Sequence, residues 1–109
     1  MAAALAKGFV NAGLVSTEEL IASDPATAGR EAFGLEVGCE TTDSNADVLA
    51  KAKVIFLAFK PHQLDEATEA VRDQFDESHL VISILAGVRL AKLDAACGGR
   101  ARLVRVMPN

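Results

Sequence analysis

The chain has no tryptophan, no tyrosine and only five phenylalanines among its 109 residues, so the aromatic platforms on which single-stranded nucleic acids stack are missing. Basic residues are few and scattered: eleven Lys and Arg against fifteen Asp and Glu give a net charge of −4. No basic stripe is left to follow a phosphate backbone, which argues against a nucleic-acid partner. There are two cysteines, Cys39 and Cys97, and their separation fits no CxxC, zinc or haem pattern. Two lone thiols in an acidic chain predict reduced core or near-surface residues, as in a cytosolic protein. His62 and His79 have no ligand spacing with each other or with either cysteine, so no metal site is expected. The longest apolar run, 80–86, is far short of the roughly 20 residues that cross a bilayer. The opening MAAALAKGFVNAG has no basic segment before its apolar stretch, and Lys7 interrupts it. It reads as an alanine-rich helix rather than a signal peptide.

What is present is an alternation of helical and strand-like segments. Residues 2–13 suit a helix with Leu5, Phe9 and Leu14 near one face and Gly13 placed for a left-handed cap. Ser16 and Glu19 have capping-box spacing before a strand over 20–23. Asp24-Pro25 then reads as the N-cap and first position of a helix that ends at Gly34. Val37–Cys39 is a short strand, and Asp43 or Ser44 caps a helix over 46–52. The unbroken apolar run of residues 54–59 predicts a strand covered on both faces, as in a parallel sheet. Leu64, Ala67, Thr68, Val71 and Phe75 share a helical face. A second continuous strand spans 80–85, a short helix spans 89–97, and a less buried strand carrying Arg105 spans 103–107. Strands alternating with helices give an α/β fold with a doubly wound parallel sheet. There is no internal repeat and no interdomain linker, so residues 1–109 read as one domain.

In open α/β sheets ligands bind at the carboxyl ends of the strands. Ser23 and Asp24, Lys60 and Pro61, Ala86 and Gly87, and Met107 to Asn109 fall there. Asp24 fits two roles, an acceptor for the ribose hydroxyls of a dinucleotide or the N-cap of the next helix. Lys60 fits a phosphate or nicotinamide contact, or a solvated charge. Asn45, at a helix start, fits an anion or amide ligand, or plain capping. Gly87 fits close approach of a ligand, or a turn needing positive φ. His62 reads as a surface residue and His79 as a turn residue. No catalytic constellation emerges from order or spacing. The residues alone therefore predict a nucleotide-binding α/β domain.

Four segments add a more specific signal: MAAALAKGF at the start, LAFKP at 57–61, SILAGV at 83–88 and RLVRVMPN at 102–109. In this order and spacing the chain resembles the pyrroline-5-carboxylate reductases over its whole length. The family opens with G-x-G-x-M-A, so the resemblance makes Met1 and Ala2 the last two of those positions. Ala2 then takes the place where Gly or Ala lets the helix approach the sheet. The resemblance implies a Rossmann-like domain without its first strand, NADPH or NADH as cofactor, and reduction of the C=N bond of 1-pyrroline-5-carboxylate to L-proline. It places Ala2, Asp24, Asn45, Ala58, Phe59, Lys60, Pro61, Ala86 and Gly87 against the dinucleotide and Asn109 near the substrate. It assigns no catalytic side chain and no metal ligand to this part. It also implies a further C-terminal domain through which the intact protein forms homo-oligomers, and a cytoplasmic location.

Many family members carry a hydroxyl residue where this chain has Asp24. A carboxylate near a 2′-phosphate costs about 1 kcal/mol per charge pair in water at ~4 Å and about 4 at an effective dielectric of ~20. The expectation is tolerance of or preference for NADH, unless Asp24 turns inward as a cap. With strand order 3-2-1-4-5-6, an absent first strand splits the sheet at its centre. That predicts either a gap or a forced pairing of 20–23 with 54–59, and a polypeptide of marginal stability that by itself binds cofactor weakly. Two other functions fit the residues: a related NAD(P)-dependent dehydrogenase of prephenate or hydroxyacid type, and a non-catalytic remnant. The MPN ending and the AGV turn argue against the first.

Overall fold

The computed structural model describes residues 2–107, and the chain divides into two compact units, Met1–Lys51 and Ala52–Asn109. Both are α/β with parallel strands.

In the first unit, helix α1 (Ala2–Asn11) is followed by a short 3-10 turn (Thr17–Glu19), strand β1 (Ile21–Ser23), helix α2 (Thr27–Val37), strand β2 (Glu40–Thr42) and helix α3 (Asn45–Lys51). Helix α1 ends as its glycine predicts. The Leu14 N–H reaches the Phe9 carbonyl at 3.0 Å and the Gly13 N–H reaches that of Val10 at 3.0 Å, the paired bonds that close a helix through a glycine. Leu14 itself is 70% exposed because it lies beyond this cap, so it is not part of the helix face the spacing suggested. The Ser16 N–H donates to the Glu19 carboxylate at 2.9 Å, which holds that carboxyl below its ordinary range.

Two sequence expectations shift in this unit. Helix α2 runs through Gly34 and ends at Gly38, whose φ of +83° only glycine adopts freely. A glycine inside a helix costs only about 1 kcal/mol, so Gly34 need not end it, and the left-handed exit falls to Gly38. Val37 consequently ends the helix as a buried residue, and the strand expected at 37–39 forms at Glu40–Thr42 instead. β1 and β2 pair in parallel, Ile21 to Glu40 through Ser23 to Thr42. Helix α1 packs on α2, and Lys7 lies 3.6 Å from Glu36.

The second unit begins with strand β3 (Val54–Leu57) and a 3-10 turn (Pro61–Gln63). Helix α4 (Leu64–Thr68) continues into 3-10 geometry over Glu69–Gln74, and strand β4 (Leu80–Ser83), helix α5 (Leu90–Ala96) and strand β5 (Arg102–Arg105) complete it. The three strands form a parallel sheet of order β3-β4-β5, with Val54 beside Leu80 beside Arg102. Leu64, Thr68, Val71 and Phe75 are all buried, as their spacing requires. Leu93 and Cys97 join them, while Leu90 is 50% exposed because it occupies the first, outward turn of α5.

The strand over 54–59 is not covered on both faces. Ile55 and Leu57 are buried, yet Val54 is 52% and Phe56 38% exposed. Side chains alternate across a strand, and the burial of this strand alternates with them. Continuous hydrophobicity therefore overstated the cover. β5 lies at the sheet edge, with Arg102 and Arg105 exposed. His79 follows the turn assigned to it but is buried, its Nδ1 accepting the Asp76 N–H at 3.1 Å and its ring edge-on to Phe75. The described strands fall in two sheets, β1-β2 in the first unit and β3-β4-β5 in the second.

Candidate functional site: the carboxyl ends of the strands

In the first unit, β1 delivers Ser23 and Asp24 to its carboxyl end. The Ser23 hydroxyl bonds the Asn45 side-chain oxygen, so the first residue of α3 is tied to the last residue of β1. The Thr42 hydroxyl, at the end of β2, donates to the Asp47 carboxylate at 2.6 Å and accepts the Ser44 N–H at 3.1 Å. Asp24 continues the sheet with its N–H on the Thr42 carbonyl at 3.1 Å. Its side chain is not the N-cap of α2, a position Ala26 occupies. Instead Oδ1 accepts the Ala26 N–H at 2.9 Å, an aspartate turn that closes the loop before the helix begins. A side chain at Gly29 would put its Cβ 2.3 Å from Asp24 Oδ2, so the carboxylate occupies the space above the first turn of α2. The Asp24 carboxylate is thus folded onto its own loop, but not as the cap of α2 that the sequence offered.

Arg30 completes this end and was not singled out by the sequence. Its Nη1 donates to the carbonyls of Asp24 at 2.8 Å and Pro25 at 3.1 Å, and its Nη2 to the Thr27 hydroxyl at 3.1 Å. The available sequence signal was a cation in the opening turn of a helix, the end where the dipole disfavours it. Hydroxyl, carboxylate, guanidinium and carboxamide thus gather at one strand end. That donor and acceptor set fits a ribose and its phosphates. Ala2, half-buried at the start of α1, is in the same unit.

In the second unit, Ala58, Phe59, Lys60 and Pro61 follow β3, and Ala86 and Gly87 follow β4. The two strands are parallel neighbours, and the Ile84 N–H reaches the Leu57 carbonyl at 3.2 Å, so these two loops leave the same rim. The Lys60 ammonium is exposed, while its N–H donates to the Gln63 side-chain oxygen at 3.1 Å. Gly87 has φ +73°, the conformation its turn reading required, and a Cβ there would meet nothing within 4 Å. The backbone at Gly87 is open. Asn109 lies outside the described residues. Among the described residues there is no cluster of three or more metal-ligating side chains, and no helix is long and apolar enough to cross a membrane.

The cysteines are poor nucleophiles. Burial pushes the Cys97 thiol up to about 11, and burial also raises that of half-buried Cys39. Both are free.

The family described as "NADP oxidoreductase coenzyme F420-dependent" matches residues 1–87. Pyrroline-5-carboxylate reductase 3 of Bos taurus is 38% identical over 109 residues, which are the whole of this chain and 35% of that protein. The pyrroline-5-carboxylate reductase of Methanosarcina acetivorans is 33% identical over the whole chain and 40% of its own length. The chain therefore spans well under half of the relatives it matches. Among solved structures, a pyrroline-5-carboxylate reductase from Coxiella burnetii superimposes with a TM-score of 0.88 and 29% identity, covering 99% of this chain and 40% of that one. A Plasmodium falciparum pyrroline carboxylate reductase with NADP bound gives 0.80 and 27% identity over 97% of this chain and 37% of its own. The chain belongs to the NADP oxidoreductase, coenzyme F420-dependent family, and its likeness within it is to the pyrroline-5-carboxylate reductases.

Proposed function

We propose that this chain is the cofactor-binding part of a pyrroline-5-carboxylate reductase, which reduces the C=N bond of 1-pyrroline-5-carboxylate to L-proline with NADPH or NADH. The observation that carries the reading is the whole-length match to reductases of that name, combined with polar and open positions at the carboxyl ends of parallel strands. When bound, the dinucleotide supplies hydride from its reduced nicotinamide. The residues of this chain bind and orient. Asp24 and Asn45 shape the adenosine-ribose end, and Ala2 allows close approach of α1. Ala58, Phe59, Lys60 and Pro61, with Ala86 and Gly87, line the remainder of the dinucleotide, and Asn109 adjoins the imine substrate. None of these needs to transfer a proton from a charged side chain, because positioning two rings accounts for much of the rate. Oligomerisation of the intact protein and a cytoplasmic location belong to the same proposal.

The test is kinetic. The full chain carrying these residues, given reduced nicotinamide cofactor and 1-pyrroline-5-carboxylate, is expected to consume the cofactor and release L-proline. Consumption with prephenate or a hydroxyacid partner, and none with the imine, would replace this reading with the related dehydrogenase.

A further inference from the structure

Ser23 ends β1 at the carboxyl rim, and the function proposed above gives it no task. Its hydroxyl donates to the side-chain oxygen of Asn45, the first residue of α3. This bond is partly buried and joins the sheet to the helix beside it. The backbone of α3 is anchored separately, from the end of β2. There the Thr42 hydroxyl accepts the Ser44 N–H at 3.1 Å and donates to the Asp47 carboxylate at 2.6 Å. The Asp47 N–H reaches the Ser44 carbonyl at 3.2 Å, and α3 packs on both strands. Thr42 thus holds where the helix starts, and Ser23 holds how the Asn45 carboxamide is turned. A carboxamide has an acceptor on one side and two donors on the other. Its terminal torsion is broad, so a carboxamide that is not held beforehand must be ordered when the ligand binds, at a cost in affinity.

We propose that Ser23 is a positioning residue: it fixes the orientation of the Asn45 carboxamide and, through it, the affinity of the site for the dinucleotide. Ser23 acts through Asn45 and touches no ligand atom. The inference rests on the nucleotide-binding reading above, in which Asn45 meets the dinucleotide.

The experiment measures the NADPH affinity of the full chain carrying these residues, followed by nicotinamide fluorescence, for the wild type, Ser23→Ala, Asn45→Ala and the double variant. Ser23→Ala is expected to weaken binding about two- to tenfold, the worth of one ordered side chain. In the Asn45→Ala background the same change should make no further difference, a non-additivity that a merely structural Ser23 does not produce. Ser23→Thr keeps the hydroxyl and should bind as the wild type does. Ser23→Val, of nearly the same shape without the hydroxyl, should bind as weakly as Ser23→Ala, and this pair decides the matter if the alanine variant does not fold. No loss in Ser23→Ala, an equal loss in both backgrounds, or Ser23→Val binding as tightly as Ser23→Thr overturns the inference while leaving nucleotide binding intact. A wild type that binds no NADPH removes the nucleotide-binding reading and this inference with it.

Discussion

Replacing Gly29 with alanine should reveal how firmly the Asp24 carboxylate is anchored. In an ordinary helix this change stabilises by about 1 kcal/mol, because glycine pays more backbone entropy. Here the new Cβ would lie 2.3 Å from Asp24 Oδ2 and 2.9 Å from its Cγ, so the carboxylate must rotate away. Rotation forfeits the bond to the Ala26 N–H, a loss of the size of a helix-start capping bond, about 0.5–2 kcal/mol. The two effects oppose, and Gly29→Ala should be close to neutral or mildly destabilising. In an Asp24→Ala background no carboxylate obstructs the methyl, and the same change should stabilise by about 1 kcal/mol. The difference between backgrounds, about 0.5–2 kcal/mol, is the coupling measured by a double-mutant cycle. Urea denaturation followed by far-UV circular dichroism reads it, since the chain has no tryptophan or tyrosine for fluorescence. Equal stabilisation in both backgrounds, within about 0.3 kcal/mol, would refute the anchored carboxylate.

Leu93 is fully buried and Leu90 half exposed on the same helix, so Leu93→Ala should cost about 2–5 kcal/mol and Leu90→Ala well under 1, read from the same denaturation midpoints. Cys97 has a folded-state pKa raised to about 11 from 9.0. The unfolded chain therefore loses this proton first, and stability should fall as pH rises from about 9 toward 11. Cys97→Ala should flatten that fall when unfolding is measured across the range, and an unchanged slope would show that Cys97 does not ionise on unfolding.

The parts of the fold legible in the sequence were those set by long periodic patterns. Leu64, Val71 and Phe75 declared a buried helical face, and the apolar runs at 54–59 and 80–85 declared strands of a parallel sheet, which pair over Val54–Leu57 and Leu80–Ser83. What misled was local. Gly34 looked like a helix end because composition does not show which of two glycines takes the left-handed conformation, and Gly38 does. The apolar run of β3 gave no sign that Val54 and Phe56 remain exposed, since exposure depends on what covers a face rather than on its own residues. At the candidate site, Asp24 was visible from Asp-Pro before a helix, but its choice of the Ala26 N–H depends on the gap above Gly29. Arg30 was hidden for a related reason. An isolated arginine on a polar helix carries no motif, and only the fold brings it back over the carbonyls of Asp24 and Pro25.

The most direct test of the account is a map of backbone amide shifts in the full chain carrying these residues as NADPH is added. Perturbations should concentrate at Asp24, Asn45, Lys60, Ala86 and Gly87, which follow or adjoin the carboxyl ends of β1, β3 and β4. Perturbations gathered instead at Lys53, Ser78 and Arg100, before the amino ends of β3, β4 and β5, would place the ligand on the wrong rim and contradict it.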